Sequence, residues 1–195
     1  MSNIQLTFPP AEAEYLTDVY SQSNIILEYG SGGSTLLAVQ QGHSLVMSVE
    51  SDKAWAENLQ TLIARDNDNS QVESLIHWVD LGPTREWGWP VGDSKWRNWH
   101  NYPLSVWSHP RFRQPDLVLI DGRFRIGCFL ATLFLTKAPV TILWDDYTDR
   151  PHYHCIEKYA RPIKTVGRMA RFELTPQQFD PASLAEIISL IHAPE

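Results

Sequence analysis

The stretch at residues 24–35 constrains the fold of this chain more than any other part of the sequence. It begins with an apolar run, rich in β-branched isoleucine, of the kind that forms a buried parallel strand. The run breaks at residues 30–33, where glycine is frequent, and residues 34–39 then predict a helix with Ser and Thr at its N-terminus. A strand, a glycine-rich turn and a helix N-terminus in this order form the nucleotide-binding turn of a Rossmann-like unit.

Two acidic residues indicate which ligand this turn would take. Glu28 lies two positions before Gly30, and a carboxylate about 4 Å from a pyrophosphate would cost on the order of 4 kcal/mol at an effective dielectric constant near 20. Thr35 also stands where a dinucleotide-binding motif has its third glycine. Glu50 ends the run 44–50, and an acid at the tip of the second strand accepts hydrogen bonds from ribose hydroxyls. The pattern therefore favours a cationic nucleoside, S-adenosylmethionine (SAM), over NAD.

On these residues the sequence resembles the class I SAM-dependent methyltransferases, whose first motif is an acidic residue, any residue and then G-x-G. The resemblance implies a Rossmann-like, doubly wound α/β fold with a mostly parallel seven-stranded sheet and an antiparallel last strand. It also implies contacts to SAM from Glu28, Tyr29, Gly30, Ser31, Gly32, Glu50, Ser51, Asp80 and Asp121. The alternative for the motif is a glycine turn with two solvated surface acids. The alternative for Asp80 is capping of the turn that precedes Gly82 and Pro83.

Patterns along the remaining chain predict the other elements of such a fold. Strands are expected at 25–29, 45–50, 74–79, 116–121, 140–146, 163–166 and 171–174. Helices are expected at 9–20, 34–41, 126–135, 152–159 and 181–191, and one more begins after Asp52 and extends through Ile63. We expect a single domain over residues 1–195.

Charge and cysteine usage narrow the class of protein. The net charge of −7 argues against a nucleic acid partner, because phosphate binding needs a basic surface. No apolar run reaches the length of a membrane span, so no membrane partner is expected. Cys128 and Cys155 lack CxxC spacing and are expected to be reduced, semi-buried thiols of a cytoplasmic protein. A disulfide between them is the alternative.

One long segment, residues 82–114, follows neither a helical nor a strand period. It contains five of the eight tryptophans, at positions 87, 89, 96, 99 and 107. An irregular segment of this length inside a domain is usually functional or disordered, and its aromatic content argues against disorder. We interpret it as a lid or as the wall of an acceptor pocket, with some tryptophans covering the sheet edge or forming a dimer surface.

Three aspartates follow neighbouring strands. Asp121 ends the fourth predicted strand, and Asp145 with Asp146 ends the fifth, so all three should lie at one edge of the sheet. Carboxylates this close raise each other's pKa unless a cation neutralises them, and Mg²⁺ is such a cation. The arrangement resembles the metal-dependent O-methyltransferases of the catechol and macrocin sugar types, which implies a metal site at these three residues. Neutralisation by Arg123 or Arg125 is the alternative.

The resemblance to the catechol type fails at the proton acceptor. Those enzymes have a lysine nearby, whereas this chain has Arg123 and Arg125, and arginine is a poor proton acceptor. Histidine titrates in the right range. The candidate catalytic residues are therefore Asp121, Asp145, His152 and His154, with His100 and His109 as further candidates. A structural role is the alternative for each histidine.

The sequence therefore predicts a SAM-dependent methyltransferase that acts on the hydroxyl of a small molecule, phenolic or sugar. If the three aspartates bind a metal ion, Mg²⁺ is expected to assist the methyl transfer. The alternative is a methyltransferase-like protein that binds SAM without turnover and acts as an interaction module. Expected partners are a small-molecule acceptor and, in a homodimer, a second copy of the chain.

Overall fold

A seven-stranded sheet lies at the centre of the computed structural model, which describes residues 4–66, 72–178 and 180–194. The strands are β1 (Ile25–Tyr29), β2 (Leu45–Glu50), β3 (Glu73–Trp78), β4 (Thr84–Arg85), β5 (Trp89–Pro90), β6 (Leu117–Ile120), β7 (Val140–Trp144), β8 (Lys164–Val166) and β9 (Met169–Leu174). The helices are α1 (Pro10–Ser21), α2 (Gly33–Gln41), α3 (Lys53–Asp66), α4 (Asn101–Leu104), α5 (Arg125–Leu135) and α6 (Leu184–Ile191).

The strand order in the sheet is β3-β2-β1-β6-β7-β9-β8, and β4 and β5 form a separate two-stranded ribbon. The pairs from β3 to β7 are all parallel, whereas β9 is antiparallel to both β7 and β8. The Rossmann-like, mostly parallel sheet with an antiparallel last strand is therefore confirmed. Because the parallel strands end at the same edge, the loops that follow them converge there.

The sheet is buried on both faces because successive side chains of each strand point to opposite sides. Leu27 and Tyr29 of β1 belong to a core that includes side chains of α4, α5 and α6. Ile26 belongs to a second core with side chains of α1, α2 and α3. This arrangement explains why β1 and β2 read as continuous apolar runs in the sequence.

Most predicted boundaries agree with the structure to within two residues, and β1 and β2 match at both ends. The expected strand 140–146 ends at Trp144, because Asp146 has a left-handed backbone conformation with φ 58°. The expected helix 152–159 is a 3₁₀ turn, Pro151–Lys158.

The insert at residues 82–114 is built from short elements. The β4–β5 ribbon comes first, and 3₁₀ turns at Trp96–Asn98 and Ser105–Ser108 flank α4. Trp99 and Trp107 pack against the core beneath the segment. Trp87 and Trp89 instead border a cavity at the sheet edge. The segment thus both covers the sheet and forms part of a cavity wall.

In the described ranges, no helix is long and apolar enough to cross a bilayer. Cys128 is fully buried in α5 and Cys155 is exposed. The prediction that both thiols are semi-buried is therefore wrong. The cytoplasmic location stays a prediction.

A fully buried acid, Glu28, connects four elements beneath the glycine turn. Tyr20 of α1 donates a hydrogen bond to its Oε1 at 2.6 Å, and Thr35 of α2 and Ser48 of β2 donate to its Oε2 at 2.5 and 2.6 Å. The Thr35 hydroxyl in turn accepts the N–H of Gly32 at 3.0 Å. Burial raises the pKa of Glu28, and the hydroxyl donors oppose that rise. The carboxyl group therefore fixes the turn from inside the core.

We expect Glu28→Gln to lower the free energy of unfolding by about 1–3 kcal/mol, because the amide cannot accept all three hydroxyl donors. The folded state raises the pKa of Glu28, so it holds the proton more tightly than the unfolded chain. The stabilisation that comes from this tighter proton binding is complete below the ordinary pKa of 4.5, and it is lost as pH rises through the pKa of Glu28 in the folded state. The deficit of the variant should therefore be larger at acidic pH than at alkaline pH.

Urea unfolding of wild type and Glu28→Gln, measured from acidic to alkaline pH, tests this expectation. Glu57→Gln, which changes an exposed acid on α3, is the control and should leave the pH profile unaltered. A deficit that grows with pH would show that the folded pKa of Glu28 lies below its ordinary value.

Candidate functional site

A cavity of about 1270 Å³ opens at the carboxyl edge of the parallel strands. This volume exceeds the roughly 300–1000 Å³ of a site that binds one small ligand. The cavity is bordered by residues 4–8, 30–34, 50–52, 85–89 and 121–123 and by side chains from α5 and from the ends of β7 and β8. Its volume is therefore larger than a single small ligand needs.

The glycine turn forms one wall of the cavity. Gly30 has φ 97°, and a Cβ there would lie 2.8 Å from the backbone nitrogen of Gly122, so glycine is required at this position. Gly32 has an extended backbone, with φ 168°. A Cβ on Gly32 would meet nothing closer than Trp55, at 3.9 Å. The space over Gly32 is therefore open to a ligand.

Glu50 stands at the tip of β2 and borders the same cavity. Its Oε1 accepts the backbone N–H groups of Ser51 and Asp52 at 2.7 and 2.9 Å, and its Oε2 accepts the hydroxyl of Ser31 at 2.7 Å. Burial raises the pKa of Glu50, and these donors oppose the rise. A carboxylate oxygen has two lone pairs, so Oε2 can accept a further donor such as a ribose hydroxyl.

Three of the nine residues expected to contact SAM lie outside the cavity. Glu28 and Tyr29 are fully buried, because their side chains point from β1 into the two cores. Asp80 accepts the backbone N–H of Gly82 at 3.0 Å and pairs with Lys95, which lowers the pKa of Asp80. These three side chains therefore do not border the cavity, and the hydrogen bond from Gly82 gives Asp80 the turn-capping contact of the alternative.

The three aspartates lie together, as the topology predicted. One oxygen of each of Asp121, Asp145 and Asp146 lies within 4.8 Å of the others. Arg125, at the start of α5, faces them: its Nη2 is 3.2 Å from Asp121 and its Nη1 is 3.2 Å from Asp146. The guanidinium also donates to three backbone carbonyls, those of Asp121, Gly122 and Asp145.

Two more arginines face the same cluster. Arg168, in the turn between β8 and β9, donates to both oxygens of Asp145 at 3.0 and 2.8 Å, and its Nε is 3.1 Å from Asp146. Arg150 lies 2.7 Å from Asp146. Three guanidinium groups therefore balance three carboxylates.

This balance leaves the aspartates poorly suited to a divalent metal. Three guanidinium groups already neutralise the three carboxylates, so a dication held here would lie close to Arg125, Arg150 and Arg168 and would be repelled by them. We conclude that the residues present do not fit a metal centre. The alternative, in which an arginine neutralises the aspartates, agrees with the contacts of Arg125. It does not fit for Arg123, whose guanidinium lies instead 4.8 Å from the ring centre of Trp89.

Asp121 differs from the other two aspartates. Its side chain is 31% exposed and borders the cavity, whereas that of Asp145 is 2% exposed. Burial at the cavity wall raises the pKa of Asp121 to about 7, with Asp145 and Asp146 adding to the rise and Arg125 opposing it. Asp121 is therefore the carboxyl group of the cluster that is best placed to meet a ligand.

The histidines expected to act as a base are not wall residues of the cavity. His152 and His154 are exposed on their 3₁₀ turn, and Nε2 of His154 is 3.2 Å from the carbonyl oxygen of Tyr147. His100 and His109 pack against other histidines. The structure thus gives these four histidines no contact with the cavity.

Sequence reasoning missed several residues of the site. Arg168 follows the turn residue Gly167 in the terminal hairpin, and the antiparallel pairing of β9 with β7 brings that turn to the carboxyl end of β7. This placement could have been deduced from the predicted hairpin. Residues 4–8 cover the glycine turn so closely that a Cβ on Gly33 would clash with the backbone of Gln5. No sequence pattern indicates this contact.

Comparison with known proteins identifies the family. The chain is similar to a methyltransferase-like protein from Silicibacter pomeroyi, with 46% identity over 100% of both chains and a TM-score of 0.94. An O-methyltransferase from Bacillus cereus, solved in complex with S-adenosylhomocysteine (SAH), aligns with 16% identity over 86% of this chain and 82% of its own, with a TM-score of 0.56. A methyltransferase from Geobacter sulfurreducens aligns with 12% identity over 86% and 80% of the two chains, with a TM-score of 0.53.

No family model and no curated protein matches the sequence. The two distant structures share only the fold with this chain, whereas the first is a full-length relative. This chain therefore belongs to the methyltransferase-like proteins that have the class I SAM-dependent methyltransferase fold.

Proposed function

We propose that this protein is a SAM-dependent methyltransferase that methylates a hydroxyl group of a small molecule without a bound metal ion. The observation that carries the proposal is that the open glycine turn, Glu50 and Asp121 all border one cavity. The size of this cavity, about 1270 Å³, accommodates both a nucleoside cofactor and an acceptor.

The residues of the turn fit SAM better than a dinucleotide. Gly32 leaves open space, Glu50 offers an acceptor for ribose hydroxyls, and the nearby Asp52 adds a second negative charge to this side of the cavity. A pyrophosphate would be repelled by these two acids, whereas the ammonium and sulfonium groups of SAM would be attracted. When bound, SAM supplies an electrophilic methyl group.

Asp121 is the proton acceptor that this proposal favours. It is the aspartate of the cluster with the largest exposure, and Arg125 holds it from the side of α5. Asp145 is fully engaged by Arg168 and is better described as a positioning residue. The four histidines lie away from the cavity wall and are not needed for this role.

The alternative, a protein that binds SAM without turnover, draws support from one observation. Every aspartate of the cluster is paired with an arginine, so the site also works as a structural ion-pair network. Detection of a methylated product discriminates between the two proposals, whereas cofactor binding is expected for both.

Calorimetry should show that the protein binds SAM and SAH and does not bind NAD. Gly32→Val should weaken SAH binding about 10- to 100-fold, because the added isopropyl group enters the cavity at a cost of about 1–3 kcal/mol. Because the backbone at position 32 is extended and accepts any residue, the melting temperature of the variant should stay near that of wild type. Ala54→Val adds similar volume on the exposed side of α3 and is the control. NAD binding without SAM binding would exclude the proposal.

Asp121→Asn should lower the rate of methyl transfer by about 100-fold or more, the usual contribution of a general base, while SAH affinity changes little. The measurement is a screen of phenols, catechols and sugars for methylated product by mass spectrometry, with SAM as donor. Asp149→Asn alters an exposed acid and should retain full activity. Full activity of Asp121→Asn would show that another group accepts the proton.

Arg168→Gln should create a response to divalent metal that the wild-type protein lacks. The substitution leaves both oxygens of Asp145 without their cation and thereby frees a coordinating carboxylate. Melting curves with SAH present should show a lower melting temperature for the variant and recovery with Mg²⁺ or Mn²⁺. Wild type should melt at the same temperature with Mg²⁺ and with EDTA. A wild-type shift with Mg²⁺ would show that the aspartates bind metal despite the arginines.

A further inference from the structure

One cation at the cavity wall has no counter-charge. Arg123 is 6% exposed and borders the cavity. Its Nε is buried without a hydrogen-bond partner, and within the described ranges no carboxylate lies at ion-pair distance from this guanidinium. A buried charge without a partner is costly, so an arginine held in this way needs an anion from elsewhere.

The surroundings of Arg123 increase this need. Its guanidinium lies 4.8 Å from the ring centre of Trp89, and that of Arg85 lies 5.8 Å from the same ring. Arg85 also borders the cavity, and the described structure shows no ion pair for it. Burial lowers the pKa of Arg123, and so does the positive charge of Arg125 and Arg150. Two cations thus share one aromatic ring beside a cavity.

Most acids around the cavity already have hydrogen-bond or ion-pair partners. Asp121, Asp145 and Asp146 are balanced by Arg125, Arg150 and Arg168. Glu50 accepts backbone N–H groups, and Asp52 accepts the N–H of Trp55 and the hydroxyl of Thr84. Glu86 is exposed, and the described structure gives it no ion pair with either free arginine. Neither Arg85 nor Arg123 therefore has a carboxylate partner in the part of the chain that the structure describes.

We propose that Arg123, supported by Arg85, binds an oxyanion group of the methyl acceptor, so that the substrate is a small molecule with a carboxylate or phosphate group in addition to its hydroxyl. A guanidinium offers a planar fork of donors that matches either oxyanion, and the Trp89 ring holds that fork in place. The inference rests on the proposed function, because it assigns a substrate class to the same cavity.

The experiment is calorimetry on the full chain saturated with SAH. Three probes of similar size are titrated, each with a free phenolic hydroxyl: 4-hydroxybenzoate, 4-hydroxyphenyl phosphate and the neutral 4-hydroxybenzamide. At least one anionic probe should bind about tenfold or more tightly than the amide, the usual gain from a charge-assisted hydrogen bond. The stronger anion identifies which oxyanion the site prefers. Equal or weaker binding of both anions would overturn the inference.

Variants assign the effect to Arg123. Arg123→Gln should remove the preference for the anion, and Arg123→Lys should restore part of it, because lysine keeps the charge but loses the fork. Arg161→Gln removes an exposed arginine that does not border the cavity and should keep the full preference. A preference that survives Arg123→Gln would overturn the inference.

A titration with SAH alone, made before the probes are added, separates this inference from the proposed function. Absence of SAH binding in wild type would remove the proposed function itself. Normal SAH binding without any anion preference would remove only the inference. A loss of SAH affinity in Arg123→Gln that equals the loss of anion affinity would also overturn it, because Arg123 would then serve the cofactor.

Discussion

The contact between two glycine turns, one after β1 and one after β6, determines where the site can form. Gly30 and Gly122 approach so closely that a Cβ on Gly122 would lie 2.7 Å from the backbone nitrogen of Gly30. Because β1 and β6 are neighbours in the sheet, this contact brings the cofactor turn beside Asp121. A side chain at either position would separate the two loops and open the cavity between them. The buried carboxyl group of Glu28 then fixes the first turn from below, through Thr35 and Gly32.

Most of the fold could be predicted from the sequence because its signals are local. The parallel strands appear as apolar runs, and the glycine turn and the acid at the tip of β2 have fixed spacing in the chain. The clustering of Asp121, Asp145 and Asp146 also follows from strand order alone. What could not be predicted depends on side-chain direction. Glu28 was expected to meet the ligand, but alternation along β1 points it into a core.

Contacts between distant segments were the other source of error. Arg168 lies more than twenty residues after Asp145, and only the antiparallel pairing of β9 with β7 brings it to the aspartates. Neutralisation of the aspartates by Arg123 or Arg125 was the alternative to a metal site, and the sequence does not distinguish the two arginines. The backbone at Phe124 is left-handed, with φ 53°, and the chain turns there before α5 begins. Arg125 therefore faces the aspartates, and Arg123 faces Trp89 instead.

The ion-pair network has a consequence for the acceptor. A metal ion would lower the pKa of a hydroxyl that it coordinates, whereas arginines that are already paired with carboxylates supply little net positive charge. Under the proposed function, the proton of the acceptor hydroxyl would then go to Asp121, a carboxyl group whose pKa is about 7. A phenol, with a pKa near that of tyrosine at about 10, is within reach of such a base. A sugar hydroxyl, which is far less acidic, is not. If Asp121 is the base, as we propose, the phenolic acceptor is therefore favoured over the sugar of the two classes expected from the sequence.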